Sequence, residues 1–217
     1  MNVSRIIRTA CGFAAAAALA FTVSSCATDS NVIRYDEDGN PINPHPPGSH
    51  AHFTFDSSYP KTHDVWKDEE LLAKTDDSNS HIVIDLEKQR GFLMNGDRVV
   101  IDYPVTTGKS SHPTPTGEFT VTERIVDKSS NKYGTIYDAD GERVKYPADI
   151  TRDEVPEGGE FVGSPMQYWM RLTNSGIGLH VGPMRRTPAS HGCIRGPRST
   201  HPIVFRKSRV GTPVLIR

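Results

Sequence analysis

One stretch of this 217-residue chain, Gly176 to Arg195 (GIGLHVGPMRRTPASHGCIR), gathers the residue types that nucleophilic catalysis requires. Cys193 stands two residues after His191 and thirteen after His180. A thiol becomes a competent nucleophile when a base takes its proton, and backbone N–H groups must then hold the oxyanion that forms. His180 closes an apolar run with Ile177 and Leu179 that reads as a strand, and the turn-rich loop 182–190 returns Cys193 beside it. His191 is too near in sequence to face the sulfur in most backbone conformations, so His180 is the expected base. Gly192 removes side-chain bulk where a carbonyl must approach. Ser190, His191 and Gly192 are therefore expected to shape the oxyanion site.

The cysteine count sharpens this reading. Arg5 and Arg8 precede Ala10 to Phe21, 12 residues without a strongly polar side chain, and small residues then lead into Cys26. Such a stretch is shorter than the roughly 18–20 residues that span a bilayer, so residues 1–25 read as an export signal. Val23-Ser24-Ser25-Cys26 resembles a bacterial lipoprotein box, in which Cys26 is lipidated and becomes the first mature residue. By the same resemblance, Ala27 in place of Asp removes the usual inner-membrane retention signal. Cys11 is then discarded and Cys26 consumed, which leaves Cys193 as one free thiol in an oxidising compartment. Such a thiol is a liability unless it is buried or used.

The elements that must position these residues begin at about residue 79. Residues 26–78 read as a flexible tether, poor in Leu, Ile and Val up to Tyr59 and carrying Pro41, Pro44, Pro46 and Pro47. Its histidines (His45, His50, His52 and His63) read as solvated, and Asp64 to Lys74 offers one short helix. From His81 the pattern becomes short β-rich runs between turns: Ile82 to Leu86, Gly91 to Met94, Arg98 to Val105, Glu118 to Val126, Gln167 to Thr173, Ile177 to Val181 and Thr212 to Ile216. Asn95-Gly96 predicts a type I′ hairpin turn. Pro113 to Gly117 reads as a rigid turn shaping the sheet, and His112 and His201 as surface residues. The polar segment 127–165 exceeds ordinary loop length and predicts an inserted hairpin or lid beside the site. The expected fold is a mainly β sandwich with short helices, covering residues 79–217.

Ser190-His191-Gly192-Cys193-Ile194-Arg195 resembles the signature of the L,D-transpeptidase catalytic (YkuD) domain. Tyr103-Pro104-Val105, Thr107-Gly108, Pro113 to Phe119 and Gly178-Leu179-His180 fall in that family's order. The resemblance implies attack by Cys193 on the third-residue carbonyl of a peptidoglycan stem tetrapeptide, release of D-alanine, and resolution of the acyl-enzyme by an amine or by water. It implies His180 as base, oriented by a backbone carbonyl. It also implies Tyr168, Ser175 and Gly176 at the donor site, with Arg195 holding a substrate carboxylate or, alternatively, a structural ion pair. No metal and no organic cofactor is implied.

Composition bounds the remaining possibilities. The chain has 25 Lys+Arg against 26 Asp+Glu; without Arg5 and Arg8 the balance is 23 against 26, a formal charge of −3 on residues 26–217. No basic surplus exists for binding nucleic acid through its backbone. The reading is thus an exported, membrane-anchored lipoprotein facing the periplasm or cell wall, acting as a monomer on stem peptides. Three alternatives stay open on the residues alone: an L,D-carboxypeptidase using the same site, a metal-binding lipoprotein using His180, His191 and Cys193, and a non-catalytic peptidoglycan anchor.

Overall fold

The computed structural model describes residues 33–185 and 187–217, so Cys26 and the expected signal segment lie outside the described residues. The elements run β1 (Arg34–Tyr35), β2 (Pro41–Ile42), α1 (His50–Phe55), β3 (Trp66–Lys67) and α2 (Glu69–Ala73), then β4 (Ser80–Asp85), β5 (Arg90–Asn95), β6 (Arg98–Pro104), β7 (Gly117–Thr120) and β8 (Glu123–Ile125). An inserted trio follows, β9 (Ser129–Tyr137), β10 (Arg143–Asp149) and β11 (Glu160–Pro165). The chain closes with β12 (Trp169–Arg171), β13 (Gly178–Val181), β14 (Ile194–Gly196), α3 (His201–Arg206) and β15 (Pro213–Ile216). The mainly β class expected from the alternating runs is observed.

A six-stranded sheet of order β3-β6-β5-β4-β15-β7 shares one core with a four-stranded sheet of order β14-β13-β12-β8. Strand periodicity decides what enters that core. Ile82 pairs with Leu93 and Leu93 with Ile101, so all three lie on one face, and they meet Met170, Leu179 and Ile194 from the smaller sheet. The expected strand Glu118 to Val126 is divided between the sheets, β7 entering the larger and β8 the smaller. Buried Val121 marks the crossing. The Asn95-Gly96 hairpin forms one residue later than predicted. Asn95 pairs with Arg98, so the loop is Gly96-Asp97, with φ +57° at Gly96 alone, the φ pattern of a type II′ turn.

The tether expected over 26–78 is docked from Ser49 onward. Asp102 lies on the outer face of the larger sheet and is fully buried, as is Arg90 beside it. Arg90 Nε donates to Asp102 Oδ1 at 2.6 Å, and His50 Nε2 meets Asp102 Oδ2 at 2.8 Å. The guanidinium also donates to the Thr62 and Asp64 carbonyls and sits over the Phe53 and Tyr59 rings. Burying that pair requires a cover, and the segment supplies it with rings and carbonyls in place of aliphatic side chains. The helix expected over Asp64 to Lys74 shrinks to α2, because Trp66 pairs with Asp102 in β3 and the Asp68 side chain caps α2 by accepting from the Leu71 N–H. His201, expected at the surface, is buried at the start of α3.

Candidate active site

The smaller sheet creates the site by alternation. β13 and β14 run parallel, with Leu179 opposite Ile194 and His180 opposite Arg195. Paired residues share a face and neighbours alternate, so Leu179 and Ile194 point into the core while His180, Cys193 and Arg195 share the opposite face. On β12 the same rule sends Met170 inward and sets Trp169 and Arg171 beside them. Trp169 approaches the His180 ring with centroids 6.2 Å apart, and a Cβ on Gly178 would lie 2.6 Å from the indole, so this position is confined to glycine. Glu123 of β8 accepts from Trp169 Nε1 at 2.8 Å and from Arg171 Nε at 3.2 Å, fixing both side chains.

His180 is oriented as the sequence suggested. Its Nδ1 lies 2.8 Å from the Val181 carbonyl, which can only accept, so Nδ1 carries the proton and Nε2 keeps its lone pair. Burial holds the His180 pKa down at about 4, against the opposing pull of that hydrogen bond, so the imidazole is neutral at physiological pH. Burial likewise pushes the Cys193 thiol above its ordinary value, opposed by the Gly178 N–H and by the charges of Arg195 and Arg171. The sulfur lies 3.7 Å from the Gly176 carbonyl. His180 and Cys193 thus rest as a neutral pair, one on β13 and the other just before β14, and no hydrogen bond joins them among the described residues.

The loop before Cys193 is pinned atom by atom. Ser190 Oγ donates to the Cys193 carbonyl and accepts the Gly192 N–H at 3.1 Å. Gly192 has φ +107°, a conformation that only glycine adopts readily. Thr114, from the turn assigned only a sheet-shaping role, donates through Oγ1 to the Gly192 carbonyl at 2.7 Å and accepts the Gly108 N–H at 2.8 Å. Nothing in sequence spacing links positions 114 and 192.

Other predicted residues are placed differently. His191 does not join His180 and Cys193; its ring stacks on Tyr133 of β9, centroids 4.5 Å apart, and meets His112 edge-on at 4.8 Å. Among the described residues no group of three His, Cys, Asp or Glu is arranged to hold a metal. The Tyr168 ring packs on Phe205 of α3, so Trp169 is what borders the base. Gly176 lies at the sulfur through its carbonyl, and Ser175 is exposed beside it, its hydroxyl 2.9 Å from that of Thr173. The segment 127–165 forms a three-stranded sheet of order β10-β9-β11 and reaches the loop before Cys193 through Tyr133, which stacks on His191. Arg195 itself is half-buried and has no acidic partner among the described residues, and burial lowers its pKa from the ordinary arginine value. The structural ion pair considered for it is not made. Arg171, Thr114 and Tyr133 border this face or its loop and were not singled out from the sequence.

Residues 79–216 match the sequence family YkuD, the L,D-transpeptidase catalytic domain. No protein of curated function matches the chain. Among solved structures, the chain is similar to an L,D-transpeptidase from Mycobacterium smegmatis at 19% identity and TM-score 0.49, over 64% of this chain and 58% of that one. It is similar to an Enterococcus faecium L,D-transpeptidase at 26% identity and TM-score 0.47, over 65% of this chain and 50% of that one. It is also similar to the catalytic domain of the E. faecium L,D-transpeptidase at 28% identity and TM-score 0.45, over 64% of this chain and 96% of that domain. The match therefore spans between half and three fifths of the first two chains.

Proposed function

We propose, from the premise that this chain belongs to the L,D-transpeptidase catalytic domain family, that it is an acyltransferase that joins peptidoglycan stem peptides through Cys193. The observation that carries this reading is the shared face of β13 and β14, which sets side by side a histidine lone pair, a thiol and a guanidinium, the first and last without partners among the described residues.

Each group has one task. As a donor stem enters, Cys193 Sγ gives its proton to His180 Nε2 and bonds to the third-residue carbonyl carbon. The carbonyl electron pair moves to oxygen, where backbone N–H groups of the 191–193 loop receive it. Collapse breaks the C–N bond; His180 returns the proton to the departing amine, and D-alanine leaves. An acceptor amine then repeats the sequence on the thioester, with His180 again taking the proton. Arg171 is paired with Glu123, so the positive charge offered to a donor's terminal carboxylate comes from Arg195. With water in place of the amine, the same thioester gives an L,D-carboxypeptidase. His191, held in the stack with Tyr133, shapes the entrance and leaves the proton transfer to His180.

The N-terminal sequence supports export and lipid anchoring at Cys26, with the catalytic domain facing the wall. Intact-mass analysis of the purified chain incubated with disaccharide-tetrapeptide tests the enzymatic reading. The expected result is an adduct equal to donor minus D-alanine, or a dimeric product, each absent in Cys193→Ala while the fold persists. A folded wild type with a reactive thiol, no adduct and no product would overturn it.

A further inference from the structure

We propose that Thr114 is a positioning residue for acyl transfer: its hydroxyl fixes the Gly192–Cys193 peptide so that the Cys193 N–H faces the oxyanion. This rests on the reading of Cys193 as the nucleophile given above.

The loop before Cys193 has a freedom to lose. At φ +107° Gly192 occupies a region where glycine has little intrinsic preference, so the peptide that follows it can face either way at small cost. A trans peptide is planar, with C=O and N–H pointing in opposite directions. Whatever holds the Gly192 carbonyl therefore also aims the Cys193 N–H. Thr114 is what holds it, at 2.7 Å from Oγ1.

The hydroxyl is itself fixed. It accepts the Gly108 N–H, which leaves its single proton directed at the Gly192 oxygen. Thr114 is buried, and a Cβ on Gly108 would fall 2.9 Å from the Gly192 Cα and 2.7 Å from the Thr114 N, so the three segments lie in close contact. On the other side of Gly192 the Ser190 hydroxyl takes the Gly192 N–H. That donor is thereby occupied. The Cys193 N–H has no partner among the described residues and belongs to the residue that carries the attacking sulfur. When Sγ bonds to a carbonyl carbon, the new oxyanion forms within reach of that N–H, provided the peptide is held in this orientation. Thr114 stabilises that one orientation without touching the substrate.

Two reagents separate this role from a merely structural one. Alkylation by iodoacetamide displaces iodide at a saturated carbon and forms no oxyanion. Acylation by p-nitrophenyl acetate does: the S–C bond forms, p-nitrophenolate leaves with the electron pair of the broken C–O bond, and the thiol proton goes to His180. Both are measured on the full chain, the first by peptide mass at Cys193, the second as nitrophenolate release above the Cys193→Ala background. Thr114→Val is expected to lower acylation about tenfold to hundredfold, below the roughly 10²–10³ of deleting a donor outright because the misaimed N–H is still present. Alkylation is expected to stay within about threefold of the wild type, and Thr114→Ser, which keeps the hydroxyl, to recover most of the acylation. Thr114→Ala serves the same comparison if the valine variant does not fold. Equal losses in both reactions, or an unchanged acylation rate, would overturn the proposal. A wild type that p-nitrophenyl acetate acylates at Cys193 but that leaves disaccharide-tetrapeptide untouched would overturn the peptidoglycan reading and leave the role of Thr114 standing.

Discussion

The outer faces of the two sheets each carry charge away from solvent, and they treat it in opposite ways. On the six-stranded sheet, Arg90 and Asp102 are fully buried and closed: every arm of the guanidinium has an acceptor, and each carboxylate oxygen has a donor. On the four-stranded sheet, among the described residues, Arg195 has no acid, the His180 Nε2 has no partner and the thiol's hydrogen bond goes to the Gly176 carbonyl. Burial of charge costs free energy on both faces. Where the partners lie within the chain, the result is a clamp for the segment from Ser49 to Lys67. Where no such partner is found among the described residues, the face stays open, and burial lowers the His180 pKa and raises that of Cys193. Burial of polar groups alone thus does not mark a candidate site; burial without an internal partner does.

The largest effect is expected from breaking the closed face. Asp102→Leu strands the Arg90 guanidinium in a buried position, and uncompensated charges of this kind typically cost about 3–5 kcal/mol. Chemical denaturation should show that loss, and proteolysis should begin in residues 49–67, while acyl transfer per folded molecule stays within about twofold. Replacing Arg90 by Met in the same chain should return part of the stability, since the orphaned charge goes with it. If Asp102→Leu proves as stable as the wild type, the clamp is not what docks the segment and the contrast between the faces fails.

The sequence discloses the open face better than the closed one, for a physical reason. Cys193 and His180 belong to a short list of reactive residue types, and the alternation of Leu179 against His180 shows the strand that carries the histidine. Their supports are less visible. Thr114 reaches Gly192 across 78 positions, a link that only the folded chain reveals. β14 is three residues long and leaves no periodic trace, although it sets the register of the nucleophile. The segment 49–67 looks like linker because it docks with Phe53, Tyr59 and Trp66 around one ion pair, which aliphatic counting misses. The insertion 127–165 was legible as an addition beside the site but not as a sheet, because its interior amounts to little more than Ile136, Ala148 and Phe161. His201 shows the same limit from the other side: a histidine among polar neighbours signals surface, yet here its Nε2 donates to the Tyr168 carbonyl at 3.0 Å, out of contact with water.

A smaller effect should come from neutralising the open face. Arg195→Met keeps the length of the side chain and removes the charge. Charge-assisted hydrogen bonds contribute about 1.5–3 kcal/mol, so kcat/KM for a carboxylate-ended donor should fall roughly tenfold to hundredfold. A donor amide lacking the carboxylate should lose much less, and stability should not decline, because no internal partner is abandoned. A loss of the same size for both donors would place Arg195 in the alignment of Cys193 and not in carboxylate recognition. A clear loss of stability would mean that the open face is closed after all.

The smallest effect separates the faces by proton linkage. His180 and His201 are both held at about 4 by burial, against about 6.5 in an unfolded chain. Between those values the unfolded chain takes up the protons first, so acid favours unfolding. The contribution is complete above about pH 6.5 and is lost progressively as pH falls towards 4, amounting to somewhat under 1 kcal/mol per histidine between pH 7 and pH 6. Denaturation curves at those two pH values should show this slope in the wild type. In His180→Gln the slope should shrink by at most about half, the rest coming from His201 and from His191, which burial also lowers, whatever the variant does to absolute stability, because the linkage reads protons and not packing. An unaltered slope would mean that His180 shares its proton with a partner at rest, and the open face would then already hold its nucleophile and base as a charged pair.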